Sequence, residues 1–198
     1  MLARFEELTE SFVTGKIGIS DAFLAAPLAQ KLQQNLMRMH TEGLMQQANV
    51  GNRTALKDPK QNLRGDKIYW LDKKNHDTDQ LEFLDMIDQF IDYLNRSCYT
   101  GINACEFHYA YYEAGSFYKR HKDQFRNDAA RKYSLVSYLN DNWLNTDGGE
   151  LQVYKDDTVQ KILPASGRAV FFRSDDLEHE VMAATRPRLS VTGWLKRI

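Results

Sequence analysis

Two histidines and one aspartate in the second half of the chain have the residue types and spacing of a metal site. His121 and Asp123 are separated by one residue in FYKRHKDQF, and a single later histidine, His179, lies in DDLEHEVM. Side chains at positions i and i+2 of a β-strand point to the same face, so His121 and Asp123 can reach one ion. Two imidazoles and one carboxylate form the three-ligand face that holds non-haem Fe(II) and leaves positions open for a co-substrate and oxygen. The spacing therefore predicts an iron site made by these three residues.

An arginine nine positions after His179 is a candidate anchor for an anionic ligand. Arg188 lies in RPRLSVTGW, whose alternation is typical of a strand that places Arg188, Thr192 and Trp194 on one face. If that face is interior, the arginine needs an anionic partner, because an unpaired buried charge is very costly. A ligand carboxylate would supply this partner through two parallel charge-assisted hydrogen bonds. The alternative is an exposed strand residue, as we expect for the nearby Arg186.

The other histidines and several tyrosines have simpler interpretations. We expect His40, His76 and His108 to be surface or hydrogen-bonded histidines, because no second ligand lies at a useful spacing from them. An H-x-D triplet also arises by chance in chains of this length, so it indicates a metal site only together with the residues that follow it. Aromatic packing in a β-rich core explains three further tyrosines: Tyr109, Tyr133 and Tyr154.

The elements that must position these residues fall into a helical first half and a β-rich second half. ISDAFLAAPLAQKLQQNLMRMHTEGLM opens with Ser20 or Asp21 as a helix cap and is apolar at helical spacing: Leu28, Leu32, Leu36 and Met39. DQLEFLDMIDQFIDYLNRS predicts a second helix with the stripe Leu81, Leu84, Ile87, Ile91 and Leu94. Between them, ANVGNRTALKDPKQNLRGDK is polar and typical of a long exposed connection, and the short run Ile68 to Leu71 predicts a strand.

From Ala104 onward, turn formers such as TDGG and PASG separate eight short β-rich runs of even size. They are CEFHYAYYE, SFYKRHKDQ, YSLVSYLND, GELQVYKDD, TVQKILP, GRAVFFRS, HEVMAAT and RLSVTGWLKRI. Eight such runs favour a jelly roll, the double-stranded β-helix of antiparallel strands, with the helices packed on one face. We therefore predict an α+β fold and one domain over residues 1–198, with a helical support region at 1–100 and the jelly-roll core at 101–198.

Composition limits the classes of partner. The formal net charge is −1, which makes nucleic acid an unfavoured partner, although Lys119, Arg120 and Lys122 form a local basic cluster. We find no run of roughly 20 apolar residues that would span a membrane. The start MLARFEELTESF has acidic residues where a secretory signal would be apolar, and only Cys98 and Cys105 are present. These features predict a cytoplasmic protein with reduced thiols; they do not predict an oligomeric state.

From RGDKIYWL to the C-terminus, the chain resembles the Fe(II)- and 2-oxoglutarate-dependent dioxygenases of the prolyl 4-hydroxylase type. This group includes the hypoxia-inducible-factor prolyl hydroxylases and their bacterial relatives. The resemblance implies that His121, Asp123 and His179 bind iron and that Arg188 holds the distal carboxylate of 2-oxoglutarate. It also implies O2 as the second co-substrate, ascorbate as a reductant, and a partner protein that carries the target proline.

The same resemblance implies roles for residues around the iron. YYEAGSFYKRHKD and YLND are similar to family strands that bring three tyrosines to the co-substrate and substrate pocket: Tyr111, Tyr118 and Tyr138, the last assisting the arginine. DGGELQVY, HEV and SVTGW are similar to strands that form the pocket walls: Leu151, Val181, Thr192 and Trp194. RGDK resembles a family signature whose aspartate pairs with a later arginine, which implies an ion pair between Asp66 and Arg131. The alternative for RGDK is a turn whose charges are solvated.

The resemblance implies oxidative decarboxylation of 2-oxoglutarate coupled to hydroxylation of a prolyl residue, with release of succinate and CO2. The alternatives are the same chemistry on a small molecule, a free amino acid or an alkylated base, and a metal-binding jelly roll that acts as a sensor without turnover. Near-neutral charge disfavours the alkylated base. Halogenation is disfavoured because Asp123 occupies the position that a halide would need.

Overall fold

The computed structural model describes residues 1–48, 63–124 and 129–198. In these residues the chain forms three α-helices, two short 3-10 turns and eleven strands. The helices are α1 (Leu2–Gly15), α2 (Ala26–Thr41) and α3 (Thr78–Cys98). The strands before the last helix are β1 (Ile17–Ser20), β2 (Gln46–Gln47) and β3 (Asp66–Trp70). Those after it are β4 (Ala104–Tyr112), β5 (Tyr118–His121), β6 (Arg131–Tyr138), β7 (Leu151–Lys155), β8 (Thr158–Ile162), β9 (Ala169–Arg173), β10 (Glu178–Val181) and β11 (Arg188–Lys196).

Two antiparallel sheets face each other. The larger has the strand order β1-β9-β6-β11-β4-β3-β2, and the smaller has the order β5-β10-β7-β8. Each of the eight predicted β-rich runs forms one strand, β4 to β11, so the predicted jelly-roll core and the α+β class are confirmed. The three strands of the N-terminal half extend the larger sheet at both edges. Residues 1–100 are therefore more than a helical support, while their unity with the core as one domain stays a prediction.

The larger sheet has apolar side chains on both faces. On one face, Phe107, Leu135 and Val191 pack against the helices in a continuous buried cluster. On the other, Val136 and Phe172 meet side chains of the smaller sheet in a second buried cluster. Adjacent residues of a strand point to opposite faces, so one strand serves both layers. The helices cover one face of the larger sheet, as predicted, and the opposite face looks toward the smaller sheet.

The helices differ from the prediction in their ends. The helix expected from Ser20 or Asp21 begins at Ala26, where Pro27 occupies its first turn, because proline is tolerated only where no intrahelical N–H bond is lost. Ser20 instead ends a strand, β1, that was not predicted. The predicted apolar residues of this helix are all buried. In α3 the buried face centres on Phe83, Ile87 and Phe90, and the predicted Leu81 lies at its margin.

Helix α1 was not predicted, although Phe5 and Leu8 are buried against the core at helical spacing. Most of the predicted long connection, residues 49–62, lies outside the described residues. Cys98 and Cys105 are free thiols. None of the helices in the described parts of the chain is long and apolar enough to cross a membrane.

Candidate active site

The pairing of β5 with β10 brings the three predicted metal ligands together. In this antiparallel pair His179 lies directly opposite His121, although 58 residues separate them in the chain. One ligand atom from each of His121, Asp123 and His179 lies within 4.8 Å of the others. The Asp123 carboxylate is 3.4 Å from His121 Nε2 and 3.6 Å from His179 Nε2. This spacing leaves room for one ion between the three side chains.

Hydrogen bonds at the far side of each imidazole orient the two histidines. His121 Nδ1 lies 2.7 Å from the carbonyl oxygen of Lys119, and His179 Nδ1 lies 3.4 Å from that of Leu177. A carbonyl can only accept, so each Nδ1 is the donor and each Nε2 is the nitrogen directed toward Asp123. Burial lowers the pKa of His179 to about 4, which keeps this imidazole neutral at neutral pH. Neutral imidazoles are the form that binds a metal.

The carboxylate of Asp123 is buried and held by a short polar chain. Ser134 Oγ donates to Asp123 Oδ2 at 2.7 Å and lies 2.9 Å from Ser174 Oγ. Burial alone would raise the pKa of Asp123, but the nearby imidazoles and the Ser134 hydrogen bond outweigh it and place the pKa below its usual range. The site therefore contains one fixed negative charge beside two imidazole nitrogens. We find no charged lysine or arginine nitrogen within ion-pair distance of this carboxylate in the described residues.

Arg188 lines the cavity that also contains the three metal ligands, and part of its guanidinium group has no hydrogen-bond partner among the described residues. Its side chain is 2% exposed, and Nε donates to the carbonyl oxygen of Gly149 at 2.9 Å. Nη2 is buried and has no hydrogen-bond partner among the described residues, and the same is true of Tyr138 Oη. The Arg188 guanidinium carbon is 5.0 Å from the centre of the Tyr138 ring. Burial raises the pKa of Tyr138, so its hydroxyl keeps its proton and is available as a donor.

Side chains from both sheets line the cavity that connects these groups. The larger sheet contributes an alternating row from β11, as the alternation predicted: Arg188, Ser190, Thr192 and Trp194. The smaller sheet contributes His121, His179, Leu151 and Val181, and Asp123 follows two residues after the end of β5. Tyr118 also lines the cavity, where its ring stacks on His121 with centroids 3.6 Å apart. The structure thus brings most of the predicted pocket residues into one space.

The tyrosine assigned to the pocket on β4 is wrong by one residue. Tyr111 points to the helical side, where its ring stacks on His40 with centroids 3.8 Å apart. Tyr112 is the residue that lines the cavity, together with Ala110 two positions earlier. Because successive side chains of a strand face opposite ways, a shift of one position exchanges the two layers.

The predicted ion pair between Asp66 and Arg131 is replaced by two separate pairs. Asp66, fully buried at the start of β3, accepts two hydrogen bonds from Arg64, the shorter at 2.5 Å. Arg131 bonds Glu106 at 2.7 Å and lies over the Trp194 ring, 3.5 Å from its centre. Arg64 is only two residues from Asp66, and Glu106 lies opposite Trp194, the residue whose ring Arg131 covers. Arg131 still lines the cavity, whereas Asp66 acts on it through Arg64.

Two residues that line the cavity, Trp70 and His108, were not assigned to it from the sequence. We expected His108 to be a surface or hydrogen-bonded histidine, yet it is 3% exposed and lines the cavity. Its ring lies close to the rings of Trp70 and Trp194. The signal that could have found it is the register: His108 lies four positions before Tyr112 and directly opposite Thr192. His76 is exposed, as expected.

Residues 107–196 match the family model described as the 2OG-Fe(II) oxygenase superfamily. The chain is 32% identical to a solved Pseudomonas putida prolyl-4-hydroxylase, with a TM-score of 0.87 over 98% of this chain and 99% of that one. It is 24% identical to a Trichoplax adhaerens prolyl hydroxylase solved with a hypoxia inducible factor peptide fragment, with a TM-score of 0.86 over 98% and 89% of the two chains. It is 26% identical to human Egl nine homolog 1, over 90% of this chain and 43% of the human protein. The chain thus spans less than half of the human relative and nearly all of the bacterial one.

Proposed function

Because the chain belongs to the 2OG-Fe(II) oxygenase superfamily, and within it to the prolyl hydroxylases, we propose that it hydroxylates a prolyl residue of a protein substrate. The reaction consumes 2-oxoglutarate and O2 and releases succinate and CO2, so that one oxygen atom enters the prolyl C–H bond and the other enters succinate. The observation that carries the proposal is the convergence of two imidazoles, one carboxylate and a buried, partly unsatisfied arginine on one cavity.

The three ligands suit ferrous iron. His121 and His179 offer neutral nitrogens and Asp123 offers one anionic oxygen, a donor set that suits non-haem Fe(II) better than a cysteine-rich structural zinc site. The carbonyl groups behind the imidazoles and the serine behind the carboxylate fix the direction of each ligand. When bound, the iron supplies the activation of O2 against the co-substrate that leads to C–H hydroxylation.

Arg188 and Tyr138 are the proposed anchor for the far carboxylate of 2-oxoglutarate. The free Nη2 of the arginine and the phenol hydroxyl are two buried donors, and an unpaired buried donor is costly unless a ligand satisfies it. A carboxylate would satisfy both through charge-assisted hydrogen bonds. Ser190 and Thr192, whose hydroxyls are 3.1 Å apart, line the path from this anchor. The anchor thus selects a diacid by its far end.

Other side chains orient the reactants and exclude water. We propose that Leu151 and Val181 cover the co-substrate from the smaller sheet and that Tyr118 fixes the His121 ring by stacking on it. Burial raises the pKa of Tyr118 to about 12, so its hydroxyl stays protonated as a donor. Arg131 and Trp194 form part of the wall that we assign to the substrate. A cavity closed to bulk water strengthens the hydrogen bonds made inside it.

We also infer a cellular location and a reductant, from the family likeness and from general chemistry. We propose a cytoplasmic location, which two free thiols support, and ascorbate as the reductant that returns the iron to Fe(II). A protein substrate is favoured over nucleic acid because the chain has almost no net charge.

The deciding experiment incubates the purified protein with Fe(II), 2-oxoglutarate and lysate proteins from cells that lack it. We expect succinate release and peptides that gain one oxygen at proline, both detected by mass spectrometry. His179→Ala should bind no Fe(II) and release no succinate, since two ligands do not hold the ion. Succinate formed with small molecules or free amino acids but not with proteins would assign the alternative substrates, and iron binding without any succinate would assign a sensor. Full turnover in His179→Ala would contradict the iron site.

A further inference from the structure

The turn between β6 and β7 contacts Arg188 at two points. The carbonyl oxygen of Gly149 accepts a hydrogen bond from Arg188 Nε at 2.9 Å. A Cβ atom added to Gly149 would lie 3.4 Å from Arg188 Cδ, so the aliphatic part of the arginine packs beside a residue that has no side chain. The main chain at Gly149 therefore holds both the stem of Arg188 and the Nε–H group.

The close approach at this point requires glycine. Gly149 has a φ of +70°, which L side chains rarely adopt. A Cβ atom there would also lie 2.8 Å from Ala184 Cβ and 3.0 Å from Cζ2 of Trp143, both closer than ordinary carbon contacts. Gly148 has a φ of +68°, and its added Cβ would lie 2.7 Å from a main-chain oxygen. Larger residues would push the turn away from the start of β11.

Trp143 supports this turn from the side opposite Arg188 in the chain order. Its Nε1 donates to the carbonyl oxygen of Gly148 at 2.9 Å, and its side chain is buried. The guanidinium carbon of Arg186 lies 4.9 Å from the centre of the indole and so covers the ring. A change at the indole is therefore transmitted to the carbonyl that holds Arg188. We call the three supporting residues the arginine brace: Trp143, Gly148 and Gly149.

The arginine brace determines which donors of Arg188 remain for a ligand. A guanidinium has five N–H donors, and Gly149 occupies the one on Nε. Nη2 stays buried without a partner among the described residues. The guanidinium carbon is 5.2 Å from the centre of the Tyr112 ring and 5.0 Å from that of the Tyr138 ring. A group bound at Nε and packed near two rings has little freedom to follow a ligand.

A diacid co-substrate extends from the metal ligands to this guanidinium, so the position of Arg188 sets the length of the diacid that fits. We propose that the arginine brace fixes this position and thereby selects the five-carbon 2-oxoglutarate over its six-carbon homologue, 2-oxoadipate. One methylene in a fitted site is worth about 10–200-fold, whereas a mobile arginine would accept either length. Trp143 and Gly149 act through Arg188 and are positioning residues. This inference rests on the proposed function, whose co-substrate selectivity it specifies.

A direct test measures binding without turnover. The protein is loaded with Zn(II), which has no redox chemistry, and titrated by calorimetry with 2-oxoglutarate and with 2-oxoadipate. We expect the wild-type protein to bind 2-oxoglutarate about tenfold more tightly or better. Trp143→Phe removes the hydrogen bond to Gly148 and keeps a ring in place, so the Kd for 2-oxoglutarate should rise about tenfold and that for 2-oxoadipate less. Gly149→Ala should reduce the selectivity further.

Gly43→Ala is the matched control for backbone strain. Gly43 also has a φ of +70°, but an added Cβ there would have no atom within 4 Å. Its ratio of the two Kd values should equal that of the wild type. Urea denaturation shows which variants are folded, and if Gly149→Ala is not, Trp143→Phe decides alone. A wild-type protein without selectivity, or a ratio unchanged in the folded variants of the arginine brace, would overturn the inference.

A second test observes the contact between the arginine brace and Arg188. Labelling with nitrogen-15 at arginine gives a signal for Arg188 Nε–H, which is assigned by its loss in Arg188→Lys. A buried N–H group bonded to a carbonyl exchanges slowly with solvent, and we expect about tenfold faster exchange in Trp143→Phe. Equal exchange rates in Trp143→Phe and the wild type would contradict the transmission from the indole to Arg188.

Failure of this inference is distinguishable from failure of the proposed function. If the wild-type protein binds 2-oxoglutarate and forms succinate, but its selectivity is insensitive to Trp143→Phe and Gly149→Ala, the arginine brace is only a tight turn and the activity stands. If the Zn(II)-loaded protein binds neither diacid and the Fe(II)-loaded protein forms no succinate, the proposed function fails and this inference fails with it.

Discussion

The two faces of the larger sheet are made by the same strands and yet have opposite characters. On the helical face, Leu189 and Val191 of β11 are buried in a continuous apolar cluster. On the cavity face, Arg188 and Trp194 of the same strand have buried polar atoms without partners in the described chain. The difference shows that, on one strand, the residues directed toward the helices stabilise the fold, whereas the adjacent residues directed toward the cavity belong to the candidate active site. Pairs of substitutions at adjacent or nearby positions on one strand therefore test the assignment of each face.

The largest contrast is expected between Arg188 and Leu189. Arg188→Ala removes the proposed anchor of the distal carboxylate, and charge-assisted hydrogen bonds contribute about 1.5–3 kcal/mol each, so the KM for 2-oxoglutarate should rise about 100-fold or more. Leu189→Ala should instead lower the free energy of unfolding by about 2–5 kcal/mol and leave that KM within about threefold. Succinate kinetics and urea denaturation measure both. A normal KM in Arg188→Ala would place the co-substrate elsewhere.

The next contrast compares two serines on opposite faces of β6. Ser134→Ala removes the hydrogen bond that holds Asp123, and loss of a partner behind a metal ligand costs about 10–100-fold in metal affinity. Ser137→Ala removes a buried hydroxyl that has no partner among the described residues, so Fe(II) affinity and stability should stay near the wild-type values. Anaerobic Fe(II) titration gives both affinities. Equal affinities in the two variants would exclude Ser134 as a positioning residue.

A smaller contrast separates the adjacent tyrosines of β4. Tyr112→Phe removes a hydroxyl from the residue that lines the cavity, and the loss of about 1–1.5 kcal/mol corresponds to a KM for 2-oxoglutarate or peptide about tenfold higher. Tyr111→Phe, on the helical side against His40, should change neither KM nor stability by more than about 0.5 kcal/mol. If Tyr111→Phe alone impaired turnover, the sequence-based assignment would be right and the observed strand phase wrong.

Much of the fold and the metal-ligand set could be predicted because local patterns specify them. Turn formers separate the eight core strands, and the spacing of two residues brings His121 and Asp123 to one cavity, although β5 ends at His121 and Asp123 lies two residues beyond it. The return of a later strand beside the first, required by a jelly roll, then brings His179 opposite His121. Arg188 was predictable because its strand alternates between apolar and polar residues.

What could not be predicted depends on the phase of strands that are buried on both faces and on distant partners. Tyr109, Ala110, Tyr111 and Tyr112 are all buried, so β4 has no polar alternation to show which residues face the cavity. The same ambiguity concealed His108. The partner of Arg131 is Glu106, which is 25 positions away on a strand that does not pair with β6. Propensity in a single segment contains no information about such pairings.

A pH series tests the burial of His108. In the folded protein burial holds its pKa near 3, whereas an unfolded histidine has a pKa of about 6.5. Below pH 6.5 the unfolded state therefore takes up a proton that the folded state does not, and His108 makes the free energy of unfolding fall by up to about 1.4 kcal/mol per pH unit as pH decreases toward 3. His108→Met removes this proton uptake, so its stability relative to the wild type should increase as pH falls from 6.5 to 4.

Urea denaturation of the metal-free proteins over that range measures the difference, in which the contributions of the other histidines cancel. His76→Asn, at an exposed histidine, should follow the wild-type curve. A constant difference between His108→Met and the wild type would mean that His108 takes up its proton in the folded state. The cavity wall at His108 would then be positively charged below about pH 6.5 and would favour a ligand with a carboxylate over one with an uncharged carbonyl, so the pH series helps to distinguish a free amino acid from a protein substrate.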